Sequence, residues 1–197
     1  MKKFIRILLR ENLIKEETIT KVEFFKQNNI DPEELSYMGN GDFGEAYAIG
    51  DGRVLKITRS KSEFNFAKGL VGKDLPALAG FVNFYVADVV DDNYYIIMEE
   101  LDEDSDIENM YYQVEELLSN EGLPIQYLHM LDIDELELDE DMLKFISDIE
   151  DINHSYRYIG IEASDIKPDN LGVDKNGKIK AFDIDDRSVN ELYKLKL

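Results

Sequence analysis

The chain has 197 residues, of which 44% are hydrophobic and 11% aromatic, and its formal net charge is −21. This length and apolar content suffice for a folded core, so we expect one domain or two small lobes rather than a disordered chain. The negative charge disfavours a nucleic-acid partner, whose phosphates would be repelled. Because the chain contains no cysteine, disulfides and thiolate metal sites are excluded.

Residues 1–35 are predicted to form a helical N-terminal extension. Four apolar residues between positions 4 and 13 lie at helical spacing, which indicates an amphipathic helix that could mediate a homodimer. Arginines interrupt this apolar run, and no stretch approaches the roughly 20 residues needed to cross a bilayer. We therefore expect no membrane association and a cytoplasmic location. Pro32 suits the first turn of a second short helix.

Residues 36–101 show short strands separated by turn residues. Strands are predicted at 36–39, 44–50 and 53–58, with Asp51-Gly52 as a hairpin turn between the last two. A helix is predicted at 60–72, because a serine and a glutamate stand at capping-box spacing at its start. Two more strands are predicted, at 81–90 and 94–101. The pattern therefore indicates five antiparallel strands and one helix.

Residues 102–197 are predicted to form a second, mainly helical region. Two stretches between 102 and 151 carry apolar stripes, and the many acidic residues there are typical of a solvated face. Asn176-Gly177 predicts a hairpin between short strands at 171–173 and 178–182. Such a hairpin would bring Asp183 back beside Asn170.

A glycine-rich turn and a strand lysine could serve phosphoryl transfer from ATP. Glycine lets a backbone approach phosphates because it has no Cβ, Lys56 on the third strand could neutralise them, and Glu63 could pair with Lys56. The ordinary alternatives are a glycine hairpin, an edge-strand charge and a capping box. The turn consists of Gly39, Asn40, Gly41, Asp42, Phe43 and Gly44.

The stretch "SDIKPDN" and the residues after the predicted hairpin supply the other parts of such a site. Asp165 could orient an attacking hydroxyl, and Lys167 could stabilise the charge of the transferring phosphoryl group. Asn170 and Asp183 are hard oxygen ligands suited to Mg²⁺, and Asp185 could add another oxygen. Each residue alone is more typical of a turn, but the whole set, with the glycine turn and the strand lysine, favours catalysis.

Together these residues resemble the protein kinase superfamily. "GNGDFGEA" is similar to its glycine-rich loop, "VLKI" to its strand-three lysine motif and "DIKPDN" to its catalytic loop, while "AFDID" stands where the aspartate-phenylalanine-glycine motif would be. The resemblance covers roughly residues 36–186, and the small size, the helical extension and "MGNGDFGEAY" are together similar to minimal kinases encoded by bacteriophages. By this likeness Met98 would be the gatekeeper, and the backbones of Glu99 and Leu101 would meet the adenine.

The resemblance implies an α+β, protein-kinase-like bilobal fold. Residues 36–101 would form an N-lobe with a five-stranded antiparallel sheet and one helix, and residues 102–197 a reduced, mainly helical C-lobe. Ala163 and Ser164 replace the family's histidine and arginine before the catalytic aspartate, and Ile184 follows the metal aspartate where phenylalanine is usual. The 12 residues after position 185 leave no room for an activation segment.

We therefore expect an ATP- and Mg²⁺-dependent phosphotransferase, foremost a minimal serine/threonine protein kinase with its nucleotide between the lobes. Its expected partner is a protein substrate or a regulated protein, and basic residues on that partner would suit the acidic surface. Two alternatives stay open: a pseudokinase that binds a protein, and a kinase acting on a small molecule. Nucleotide binding without turnover would favour the former, and transfer to a small acceptor the latter.

Overall fold

A computed structural model of the chain describes residues 19–133, 136–161, 163 and 166–183. The chain divides into two compact units, and each is described here by itself. The first consists of Met1–Lys73 and Asn83–Glu100, and the second of Asp74–Val82 and Leu101–Leu197. Across the described residues, no helix has the length and apolar character needed to cross a membrane.

The first unit is built on a five-stranded antiparallel sheet with the order β1-β2-β3-β5-β4. Asp51 and Gly52 have φ angles of 55° and 67°, as the two-residue turn of a type I′ hairpin requires. Asp91 and Asp92, with φ angles of 45° and 68°, make the corresponding turn before the last strand. The strands are β1 (Ser36–Asn40), β2 (Gly44–Ala48), β3 (Arg53–Thr58), β4 (Phe84–Val90) and β5 (Asn93–Glu99).

Two helices, α1 (Lys21–Gln27) and α2 (Lys61–Leu70), cover opposite faces of this sheet. Phe24 of α1 packs edge-on against Tyr95, with ring centroids 5.1 Å apart. Phe64 of α2 stacks on Tyr94 at 4.5 Å. Because neighbouring residues of a strand point to opposite faces, each face of β5 is covered by its own helix.

The second unit is mainly helical and carries one small hairpin. Its long helices are α3 (Ser105–Asn120) and α4 (Glu140–Ile159). The apolar stripe of α4 is buried, and the helix ends at Gly160, whose φ of 79° provides a left-handed C-cap. The hairpin consists of β6 (Leu171–Val173) and β7 (Ile179–Ala181), and short 3₁₀ turns span Pro76–Leu78, Ile125–Met130 and Pro168–Asn170.

Residues 74–82 separate α2 from β4 in the chain but pack within the second unit. Phe81 forms a parallel bridge with Ala181, whose N–H donates to the carbonyl of Gly80 at 2.9 Å. On its other side, the Gly80 N–H donates to the hydroxyl of Ser155 in α4 at 3.1 Å. A Cβ at Gly80 would lie 2.4 Å from the Cα of Ile152, so this close approach of two backbones requires glycine.

The structure confirms the predicted α+β class, with a five-stranded antiparallel sheet and helices. Three strand limits were wrong by two or more residues: β2 ends at Ala48, β4 begins at Phe84 and β5 ends at Glu99. The strand at 81–90 starts late because Val82 donates instead to the carbonyl of Ala181, at 3.1 Å. Asp102 likewise bonds Val173 rather than the sheet.

The helix predicted to begin at Pro32 does not form. The carboxylate of Asp31 accepts the N–H of Glu33 at 2.9 Å, and its carbonyl accepts that of Glu34 at 3.1 Å. Aspartate favours such a local turn over a helix because its side chain satisfies the backbone directly. The amphipathic helix predicted nearer the N-terminus lies outside the described residues.

Candidate functional site

The glycine-rich turn joins β1 to β2 and is closed by a hydrogen bond from Gly41 N–H to the Gly44 carbonyl, at 2.9 Å. A Cβ at Gly44 would lie 2.1 Å from the carbonyl oxygen of Ile57, so the sheet itself requires glycine there. A Cβ at Gly39 or Gly41 would meet no atom of the described residues within 4 Å. At those two positions, then, the chain leaves an open stretch of backbone.

Two side chains and one carbonyl hold this turn. The hydroxyl of Tyr37 donates to Oδ1 of Asn40 at 2.8 Å. The carbonyl of Phe43 accepts the N–H of Arg59 at 2.9 Å, while the ring of Phe43 is half exposed. Asp42, which lies between Asn40 and Phe43 in the chain, is exposed.

Lys56 of β3 and Glu63 of α2 form an ion pair, with 16% and 14% of their side chains exposed. The N–H of Glu63 is held separately by Oγ of Ser60, at 3.2 Å. The two roles weighed for Glu63 are therefore compatible, since its backbone is capped while its carboxylate binds the lysine. Because α2 starts three residues after β3 ends, seven residues are enough to bring the two side chains together.

The residues expected to act as gatekeeper and hinge, Met98, Glu99 and Leu101, lie at the end of β5 and directly after it. Met98 is buried in β5, between Val54 of β3 and Phe84 of β4. The N–H of Glu99 donates to the carbonyl of Asn83 at 2.9 Å. Leu101 belongs to the second unit, where its side chain lies against Gly172.

The "SDIKPDN" stretch is described from Ile166 onward, and Asp165 lies outside the described residues. The buried hydroxyl of Tyr111, in α3, donates to the carbonyl of Ile166 at 2.8 Å. Lys167 is exposed, and its carbonyl accepts the N–H of Asn170 at 3.0 Å. Asn170 is only 7% exposed.

The β6–β7 hairpin returns the chain to Asn170 as predicted. The N–H of Phe182 donates to the Asn170 carbonyl at 3.1 Å, which places the half-buried Asp183 at the same end of the hairpin. Asp185 lies outside the described residues. Where the chain is described, no three histidine, cysteine, aspartate or glutamate residues are grouped as a metal site would be.

Helix α4 holds this hairpin through polar contacts that the sequence analysis did not identify. The carboxylate of Asp148 accepts the N–H of Ile179 at 3.0 Å and the ammonium of Lys144 at 2.8 Å. Asp151 pairs with Lys178 at 2.5 Å. The acidic residues of this stretch are typical of a solvated face, but Asp148 is buried. The sequence signal for this role is the three-residue spacing of Asp148 and Asp151, which places both carboxylates on one side of the helix.

A second contact inside the hairpin is the pair formed by Asp174 and Lys180, which are 5% and 7% exposed. Oδ2 of Asp174 lies 3.0 Å from the lysine Nζ, and its Oδ1 accepts the N–H groups of Asn176 and Lys178 at 2.8 and 3.0 Å. Burial raises the pKa of Asp174, but these hydrogen bonds and Lys180 outweigh burial and lower the pKa to about 2.

The Asp174 pair predicts a pH-dependent contribution to stability. The folded pKa of about 2 lies below the ordinary value of 3.8, so the stabilisation is fully present above about pH 4. It is lost as the pH falls from about 4 to 2, and amounts to about 2 kcal/mol. Denaturant unfolding of the wild type and Asp174→Asn should show a stability difference that shrinks over this range. A difference that stays constant from pH 6 to 2 would contradict the assignment.

Comparisons with known proteins give a match in structure alone. No family model matches the chain, and no curated protein matches it in sequence. Among solved structures, 542 chains match. One is a crystal structure of Rad53 1–466 in complex with AMP-PNP, with 18% sequence identity and a TM-score of 0.48. The match covers 83% of this chain and 43% of that one, so this chain spans less than half of that protein's length.

Proposed function

We propose that the protein is an ATP- and Mg²⁺-dependent phosphotransferase, foremost a minimal serine/threonine protein kinase. The observation that carries this proposal is the largely buried Lys56–Glu63 ion pair. Removing two charges from water offsets most of what their attraction gains, so such a pair is a weak source of stability. A better explanation of the pair is that Glu63 fixes the position of Lys56. The lysine then directs its positive charge at the phosphates of ATP.

The glycine-rich turn supports the same role. Gly44 serves the packing of the sheet, whereas the described protein leaves open space where Gly39 and Gly41 would carry a Cβ. Glycine in open space costs conformational entropy without serving the fold. A bound phosphate that approaches the backbone closely gives a reason for both glycines. We assign residues 39–44 to phosphate binding.

The adenine contacts are assigned to the end of β5 and the residues after it. Met98 would limit the depth of the site as gatekeeper. The N–H of Glu99 is engaged by the Asn83 carbonyl, so we assign the adenine contact of Glu99 to its carbonyl. Leu101 would contribute a further backbone contact.

In the second unit, the residues that fit Mg²⁺ are the amide of Asn170 and the carboxylate of Asp183, with Asp185 as a further ligand. The hairpin brings Asn170 and Asp183 to one end, and the set consists of the hard oxygen donors that Mg²⁺ prefers. Bound Mg²⁺ would supply charge neutralisation of the phosphates. The buried position of Asn170 keeps its oxygen fixed before the ion binds.

The transfer itself is assigned to Asp165 and Lys167. Asp165 would orient the acceptor hydroxyl and take its proton, while the hydroxyl oxygen forms a bond to the γ-phosphorus and the bond from that phosphorus to the ADP oxygen breaks. The exposed ammonium of Lys167 would stabilise the charge on the transferring group. Lysine two positions after the aspartate favours serine or threonine as the acceptor.

The test is transfer of labelled γ-phosphate from ATP by the purified protein, alone, with a cell lysate and with small hydroxyl acceptors. We expect label on protein in Mg²⁺ and none in EDTA, together with nucleotide binding measured by calorimetry. Nucleotide binding without transfer to any acceptor would replace the proposal by a protein-binding pseudokinase. Label only on a small acceptor would indicate a small-molecule kinase. The absence of nucleotide binding would overturn both kinase proposals and leave only a protein-binding pseudokinase that uses no nucleotide.

A further inference from the structure

The segment between β1 and β2 is held by a contact from outside the glycine-rich turn. We propose that Tyr37 is a positioning residue that keeps this turn preformed for the nucleotide phosphates, an inference that rests on the function proposed above. Its hydroxyl donates to Oδ1 of Asn40, at 2.8 Å. Asn40 is the last residue of β1 and immediately precedes Gly41, the residue whose N–H closes the turn.

Tyr37 acts from the face of the sheet opposite Lys56. Lys56 pairs with Ala46 across the β2–β3 ladder, so these two side chains share a face. Tyr47, next to Ala46, points to the other face, and its ring meets the ring of Tyr37 edge-on at 5.7 Å. Tyr37 therefore contacts the turn from the side away from the lysine, and its effect on a bound nucleotide would pass through the turn.

The contact with the ring of Tyr47 restricts the orientation of the Tyr37 side chain. Tyr37 and Tyr47 are cross-strand partners in the β1–β2 ladder, and such aromatic pairs restrict both rings. A restricted ring loses little further freedom when its hydroxyl binds Asn40. Forming this hydrogen bond therefore costs less side-chain entropy than forming one with a mobile side chain.

The far end of the turn is held independently. The carbonyl of Phe43 accepts the N–H of Arg59 at 2.9 Å and the hydroxyl of Thr58 at 3.4 Å. With Asn40 and Phe43 both held, only Gly41 and Asp42 lie between fixed points. The three glycines of the turn would otherwise make it costly to order, so holding it before binding raises the affinity for nucleotide.

The test compares Tyr37→Phe with the matched control Tyr47→Phe. The first removes the hydroxyl that binds Asn40 and keeps the ring. The second removes a hydroxyl from the facing ring, where it donates to Glu45 at 2.5 Å. For Tyr37→Phe we expect the KM for ATP to rise about three- to ten-fold with little change in kcat. Tyr47→Phe should leave the KM within about two-fold, and the melting temperatures of both should match the wild type.

A second readout needs no nucleotide. Amide hydrogen exchange of the free protein should be faster at Gly41 in Tyr37→Phe, because its bond to the Gly44 carbonyl opens more often, and unchanged in Tyr47→Phe. Unchanged exchange at Gly41 in Tyr37→Phe would overturn the inference even if the protein proves to be a kinase. Faster exchange with an unchanged KM would also overturn it. If the wild type binds no ATP, the proposed function fails, and this inference fails with it.

Discussion

Asp165→Asn and Asp183→Asn are each expected to lower the rate of γ-phosphate transfer at least about 100-fold. Asparagine keeps the size of each side chain but can neither take the hydroxyl proton nor offer Mg²⁺ a negative charge. Asp169→Asn is the matched control, because Asp169 lies in the same stretch of chain, is exposed and has no assigned role. Its rate should stay within about two-fold of the wild type, as for surface substitutions away from a site.

The two variants should lose activity for different reasons. Asp165→Asn should bind Mg²⁺ and ATP with nearly wild-type affinity, because its assigned role is confined to the acceptor hydroxyl. Asp183→Asn should weaken binding of ATP in Mg²⁺ and leave binding in EDTA unchanged. Calorimetric titration in the two conditions separates these outcomes. Full activity of either variant, with melting temperatures equal to the wild type, would remove that residue from the proposed mechanism.

Gly80→Ala is expected to destabilise the second unit by about 3 kcal/mol or more. The new methyl group would overlap the backbone of α4 at Asp151 and Ile152, where the atoms lie 2.4–2.6 Å from it. Backbone cannot move aside as the end of a flexible side chain can, so the segment 74–82 has to shift. The shift would break the bonds that Gly80 makes to Ser155 and Ala181.

The matched control is Gly69→Ala, in α2 of the first unit. Among the described residues nothing lies within 4 Å of the new methyl group, and alanine is favoured over glycine in a helix by up to about 1 kcal/mol. Gly69→Ala should therefore be neutral or stabilising. Denaturant unfolding measures both variants, and hydrogen exchange at Ala181 reports the second unit specifically. Equal stability of the two variants would contradict the close packing of Gly80 against α4.

The local features of the fold could be predicted because their signals lie close together in the sequence. Asp51-Gly52 and Asn176-Gly177 predicted hairpins whose strands the structure contains. The ion pair between Lys56 and Glu63 could not be settled from the sequence for two reasons. The seven-residue interval is shorter than in the family that the chain resembles, and the same glutamate also fits a capping box. Sequence spacing cannot show that the backbone N–H and the carboxylate have separate partners.

Contacts between distant parts of the chain could not be predicted in this way. Phe81 and Val82 are residues typical of strands and directly precede β4, yet Phe81 forms a bridge with Ala181 and Val82 donates to its carbonyl. Nothing near them in the sequence identifies that partner. Asp148 is a similar case, since an acid on an acidic helix is usually solvated, and only the position of the hairpin amide of Ile179 explains its burial.

The interleaving of the two units has a consequence for synthesis of the chain. Phe81 emerges from the ribosome 100 residues before Ala181, the residue that it bridges. At a synthesis rate of about 5–20 residues per second, about 5–20 seconds pass between the emergence of Phe81 and that of Ala181. The strands of the first unit can pair once β5 has emerged, whereas Gly80 and Val82 lack their hydrogen-bond partner until Ala181 has emerged. A nascent chain that has emerged beyond position 100 but not yet to position 181 would therefore carry a sheet whose strands can all pair, together with an apolar segment at 74–82 that still lacks its partner and is accessible to chaperones.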